Sequence, residues 1–107
     1  MMEADEIPFF KLPHFRQSVQ LAEQLFILEF RHNGETDRWY MDISDSDEEP
    51  ILTGILLKTG VPLVDSLKAR VLRRLPPGDF VVFDPTGSGQ QPNWENIESM
   101  RLVHVYK

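Results

Sequence analysis

Apolar residues that alternate strictly with polar ones, in runs cut short by proline and glycine, constrain this chain more than any other feature. Phe26, Leu28 and Phe30 recur at every second position, as do Trp39, Met41 and Ile43. A period of two is the repeat of an extended strand with one buried face, and a helix cannot satisfy it. Eight prolines and six glycines interrupt the runs, so each strand is short and turn signals recur every 8–12 residues or so, at roughly the spacing of small all-β folds. Residues 16–21, 25–32, 38–44, 51–58, 80–83 and 100–106 read as strands. A tight connection falls at 22–24, and a hairpin at Asn33-Gly34, where both residue types tolerate positive φ. Gly54, inside the fourth run, predicts a bulge or a close backbone approach. Segment 63–75 reads two ways. Leu63, Leu67, Val71 and Leu75 lie four apart, a helical spacing, whereas 70–73 also reads as extended, and Pro76-Pro77-Gly78 ends the segment in either case.

The fold class expected is mostly β: a small antiparallel barrel or sandwich of six to eight short strands with at most one short helix. The 107 residues amount to one domain, 1–107, in which 1–6 form a flexible N-terminal tail. The terminal strand, 100–106, mixes His104 and Tyr106 with aliphatic residues and is expected at an edge or an interface. Phe26, Leu28, Phe30, Trp39, Met41, Ile43, Ile55, Leu57, Phe80 and Val82 form the in-facing set of these strands and hence the expected core.

Composition excludes more than it assigns. With no cysteine, disulfides, thiolate nucleophiles and cysteine metal sites are ruled out. No apolar run approaches the roughly 18 residues of a membrane-spanning helix, and the N-terminus is acidic where a secretory signal is basic. The expectation is a soluble, cytoplasmic-type protein with no membrane partner. Seventeen acidic against eleven basic residues give a formal charge of −6, which opposes non-specific nucleic-acid binding.

The motifs that could carry chemistry each fall short. Asp45-x-Asp47-x-Glu49 copies the opening ligand spacing of an EF-hand loop, but the sixth position is Pro50 and the twelfth Leu56, where glycine and glutamate are required. His14, His32 and His104 lack any zinc-ligand spacing. The glycine-rich stretch after Asp84 lacks the lysine of a phosphate loop. No serine sits in a nucleophile elbow, and the paired carboxylates lie in turns where they stay solvated. The chain therefore reads as a non-enzyme, with no catalytic, cofactor-binding or metal-binding residue.

Charge is distributed in two blocks. Residues 29–49 hold eight acids and two arginines, and Asp45, Asp47, Glu48 and Glu49 crowd into one turn. Lys68, Arg70, Arg73 and Arg74 form a basic strip. An acidic lobe and a basic strip on one chain suit head-to-tail docking between copies or against a charged partner, so these eight residues are the candidate interface.

One family shares this order of features. A long apolar strand ends at Asn33-Gly34 and is followed by Arg38-Trp39-Tyr40-Met41-Asp42-Ile43 and the acidic turn. Next come Ile51-Leu52-Thr53-Gly54-Ile55-Leu56-Leu57, then Leu75-Pro76-Pro77-Gly78-Asp79-Phe80-Val81-Val82-Phe83-Asp84, and a terminal strand closing on Tyr106. Over residues 7–107 the chain resembles the small baseplate plug proteins of contractile-tailed bacteriophages, including cyanophage-type myophages. The resemblance implies a virion structural protein that is assembled in the host cytoplasm and located in the tail baseplate. There it would be a homo-oligomer, trimer or hexamer, sited where the tail tube meets the hub and spike. Its partners would be the hub, the spike and the tube or tube-initiator proteins, with no specific nucleic acid and only passive contact with DNA in transit. Two other functions fit the residues: a monomeric small-ligand barrel lined by Phe26, Phe30, Trp39, Phe80 and Phe83, and a host-directed effector that binds a protein through an exposed strand edge.

Overall fold

The computed structural model describes residues 3–65, 67 and 75–106. Among them, seven strands build two antiparallel sheets. The larger sheet is a meander of β2 (His14–Leu21), β3 (Gln24–Asn33), β4 (Arg38–Asp45) and β5 (Pro50–Leu56), in sequence order. The smaller has the order β1-β7-β6, from Glu3–Ile7, Arg101–Tyr106 and Asp79–Phe83. A 3-10 turn, Ile97–Ser99, leads into β7. The two sheets do not close into a barrel. The sandwich is the architecture of the two expected that the chain adopts.

The core lies between the sheets. Leu28, Phe30, Trp39, Met41 and Ile43 meet Phe80, Val82 and Leu102, all at most 1% exposed. Every residue of the expected in-facing set is buried. Phe26, Phe30, Trp39 and Phe80 fill this core instead of lining a ligand pocket, and Phe83 faces outward, so the small-ligand barrel reading is corrected. Phe30 stacks on Phe15 at 4.9 Å and meets Phe9 edge-on at 5.6 Å, two favoured aromatic geometries.

Three local expectations are revised by the pairing and turn geometry that no single strand reveals. Residues 3–6 are not a tail, because β1 pairs along its length with β7, from Glu3 opposite Tyr106 to Ile7 opposite Leu102. For the same reason β7 is the central strand of its sheet, not an edge: Val103 has Glu6 on one side and Val81 on the other. The β3–β4 hairpin does form at Asn33-Gly34, but as a longer loop in which Asn33 Oδ1 accepts the Glu35 and Thr36 N–H groups and Asp37 takes the positive φ. A side chain that caps its own turn in this way replaces the two-residue hairpin. At 22–24 the tight connection is as expected, with Ala22 and Glu23 both at positive φ. The Gly54 bulge is real as well. Pairing steps from Met41–Ile55 to Ile43–Leu52, leaving an extra residue on β5, and Gly54 sits at φ +70°. Most of the ambiguous stretch 63–75 lies outside the described residues, although Leu63 and Val64 are buried against the core.

His104 is the buried polar residue of the core, packed on Phe80 and Tyr106. Its Nε2–H donates to the Pro77 carbonyl at 2.7 Å, and Nδ1 has no partner among the described residues. Burial holds its pKa below the ordinary 6.5, against the opposing pull of the Pro77 bond and of Asp5 and Asp79. As pH falls through 6.5 the unfolded chain takes up this proton first, so native stability drops until His104 itself protonates. Thermal melts between about pH 6.5 and 5 should therefore show a steeper loss for the wild type than for His104→Gln. Equal slopes would show that His104 titrates alike in both states.

Candidate assembly surface

The four acidic candidates lie together in the β4–β5 turn, and they are not equivalent. Asp45 is a structural residue, its Oδ1 accepting the backbone N–H of Asp47 at 2.9 Å and of Glu49 at 3.0 Å. Glu48, at φ 64°, reaches across to Arg16 on β2 and forms an ion pair with it. Asp47 is exposed at the tip. Lys68, Arg70, Arg73 and Arg74, the expected basic counterpart, lie outside the described residues.

The outward face of the larger sheet is a lattice of charge. His14 pairs with Glu29, and Arg31 with Asp42 at 2.9 Å. Asp42 Oδ1 also accepts the Gly54 N–H at 2.7 Å, which fastens the bulge to β4. Two grooves flank the Tyr40–Leu56 cross-strand pair. One, of about 510 Å³, is lined by Arg31, His32, Asn33, Tyr40 and Gly54. The other, of about 160 Å³, is lined by Arg38, Leu56, Leu57, Lys58 and Gln91.

An aromatic stack closes one end of the sandwich. Trp94 lies parallel to Trp39 at 5.9 Å, His32 packs on both indoles at 5.1 Å, and Lys11 Nζ sits 5.7 Å from the Trp94 ring. Asp37 Oδ1 receives His32 Nε2–H at 2.8 Å and the Trp94 backbone N–H at 2.9 Å. The His32 bond, then the Trp94 bond, lower the Asp37 pKa. The loop before Trp94 is stitched down in the same manner. Asp84 accepts from Ser88 and Thr86, and the carboxylate is held at about pKa 2, the Ser88 hydroxyl contributing most.

The smaller sheet presents the opposite chemistry. Ala4, Val81, Phe83, Val103 and Val105 occupy its outward face, with the Glu6–Arg101 ion pair at 3.4 Å beside them. Phe83 is 46% exposed and the valines are half-buried. An outer sheet face on a free-standing sandwich is normally polar, so this one is suited to being covered. A linear search for charge runs misses it, although Phe80-Val81-Val82-Phe83, apolar at every position, is the sequence signal of a strand covered on both faces. The Arg38–Lys58 groove carried no such signal, because its two cations lie twenty positions apart in the chain.

What the geometry offers is a set of surfaces for protein contact: an acidic tip, a charged sheet face with grooves, and an apolar sheet face. No curated protein matches the chain at significance. A family described as "Cyanophage baseplate Pam3 plug gp18" matches residues 4–107. With that match spanning nearly the whole chain, this protein belongs to the cyanophage baseplate plug family and is a structural protein of the phage tail baseplate.

Proposed function

We propose that the chain is a homo-oligomeric plug on the axis of a contractile, myophage-type tail. It sits where tube meets hub and spike, closing the lumen until contraction and bridging neighbouring subunits. The family match over residues 4–107 is the observation that carries this reading. Its surfaces are consistent with it. The apolar face of the smaller sheet gains by being covered, and the acidic turn, Asp45, Asp47, Glu48 and Glu49, and the strip Lys68, Arg70, Arg73 and Arg74 supply opposite charges for contacts between copies. A cysteine-free chain also suits assembly in the reducing host cytoplasm.

Electron microscopy of purified virions tests the proposal. Baseplates should carry axial density that is lost when this chain is withheld, leaving an open channel. Changing Arg70, Arg73 and Arg74 to Glu should lower incorporation while circular dichroism of the free protein stays unchanged. Density at the baseplate periphery, or a closed channel without the chain, would overturn the axial plug.

A further inference from the structure

Six lysines and arginines fall among the described residues: Lys11, Arg16, Arg31, Arg38, Lys58 and Arg101. Three are ion-paired, Arg16 with Glu48, Arg31 with Asp42 and Arg101 with Glu6, and Lys11 lies over Trp94. The remaining two, Arg38 and Lys58, have neither an ion pair nor a hydrogen bond from their side chains, and they line the same small groove. Arg38 feels the charge of the neighbouring Asp37 without contacting it, so in a chain with seventeen acids two adjacent cations in a concavity make no direct contact with a carboxylate.

Strand register explains how they meet. Tyr40 is opposite Leu56, so Arg38, two positions before Tyr40, comes alongside Lys58, two positions after Leu56. Leu56 and Leu57 supply an apolar floor. Gln91 supplies the wall: its Oε1 accepts the Thr59 N–H at 2.9 Å, which fixes the amide orientation and leaves the NH₂ group as a donor. The neighbouring acid, Asp37, is committed to His32 and the Trp94 N–H. Two cations and an amide donor over an apolar floor are the complement of a carboxylate.

We infer that the Arg38–Lys58 groove is a carboxylate receptor whose occupant is the 45–49 turn of a second copy of this chain. Charge complementarity carries the choice: the turn is the densest acidic element of the chain, and its tip residue, Asp47, is exposed with no side-chain partner among the described residues. The turn lies at the far end of β4 from Arg38, seven residues and about 24 Å away at roughly 3.4 Å per residue. One copy cannot fill its own groove with its own turn, whereas a neighbour can. Repeated head-to-tail, this contact generates a ring or a stack. The inference rests on the homo-oligomer proposed above and names the contact that builds it.

Sedimentation velocity of the full chain, over a range of concentrations and salt, provides the test. The wild type should associate, and added salt should weaken association. Arg38→Glu with Lys58→Glu, and separately Asp47→Arg, should each weaken it by about tenfold or more. The chain carrying all three changes should regain it. If the reversed groove compromises folding, Arg38→Gln with Lys58→Gln removes the charges instead and should also weaken association. Unchanged association in the groove variants, or no recovery in the triple variant, overturns the groove while leaving the homo-oligomer standing. So does a loss of association confined to the Arg70, Arg73 and Arg74 variant. A wild type that stays monomeric throughout removes the homo-oligomer itself, and the groove contact with it.

Discussion

Phe30→Ala should lower the free energy of unfolding by about 3–5 kcal/mol, as expected when a large aromatic side chain is deleted from a packed core. Phe30 has no exposed surface, and its ring stacks on Phe15 and meets Phe9 edge-on, so its removal breaks two aromatic contacts and leaves a cavity between the sheets. Domains of this size are typically stable by about 5–15 kcal/mol, so the loss is a large share of the total. Urea denaturation followed by tryptophan fluorescence reads it directly, since Trp39 packs against Phe15 in the same cluster. A midpoint unchanged from wild type would show that the inward face of β3 is assigned wrongly.

The second large effect is expected at Gly78, which enters β6 at φ +84°. A methyl group there would run into the Val105 carbonyl oxygen and lie 2.8 and 2.9 Å from the Tyr106 Cβ and Cα. These are atoms of β7, the strand that holds both its neighbours, so relief requires moving the middle of the sheet. Gly78→Ala combines a left-handed backbone, about 1–2 kcal/mol, with overpacking, about 1–3 kcal/mol. Gly54→Ala is the control. It has the same sign of φ but nothing within 4 Å of the added carbon, so only the backbone cost of about 1–2 kcal/mol applies. Equal destabilisation of the two variants would mean that the close approach of Gly78 to β7 does not exist.

The inward faces of β3 and β4 were legible because each has one buried side, and the two-residue period then marks every buried position, Phe26 to Phe30 and Trp39 to Ile43. The Gly54 bulge was legible because a glycine interrupts an otherwise strong strand. β1 was not. Glu-Ala-Asp-Glu-Ile has no apolar alternation, and its extended state comes from pairing with a strand nearly a hundred residues away. Nor does the composition of β7 reveal its central position, since His104 and Tyr106 suit an edge as well as an interior face with a partner at Pro77. At the candidate surface the acidic turn stood out as a run of charge, and its internal division of labour did not. Which acid caps the turn and which reaches Arg16 depends on the backbone path at Glu48. The Arg38–Lys58 groove depends on the β4–β5 register, a property of two strands together.

The pairing of β1 with β7 also dictates an order of events during synthesis. Strands β2 to β5 are joined by short turns, so the meander can form as soon as residue 56 clears the ribosome. β1 is made earlier still, yet its hydrogen-bonding partner is the last of these seven strands to be translated. Until residues 101–106 emerge, Ile7 and Phe80 have no strand between them, and the inner face of the meander has no completed sheet to close over it. Nascent chains therefore carry an open apolar surface until then, and it is covered only when β7 slides in as the keystone between β1 and β6.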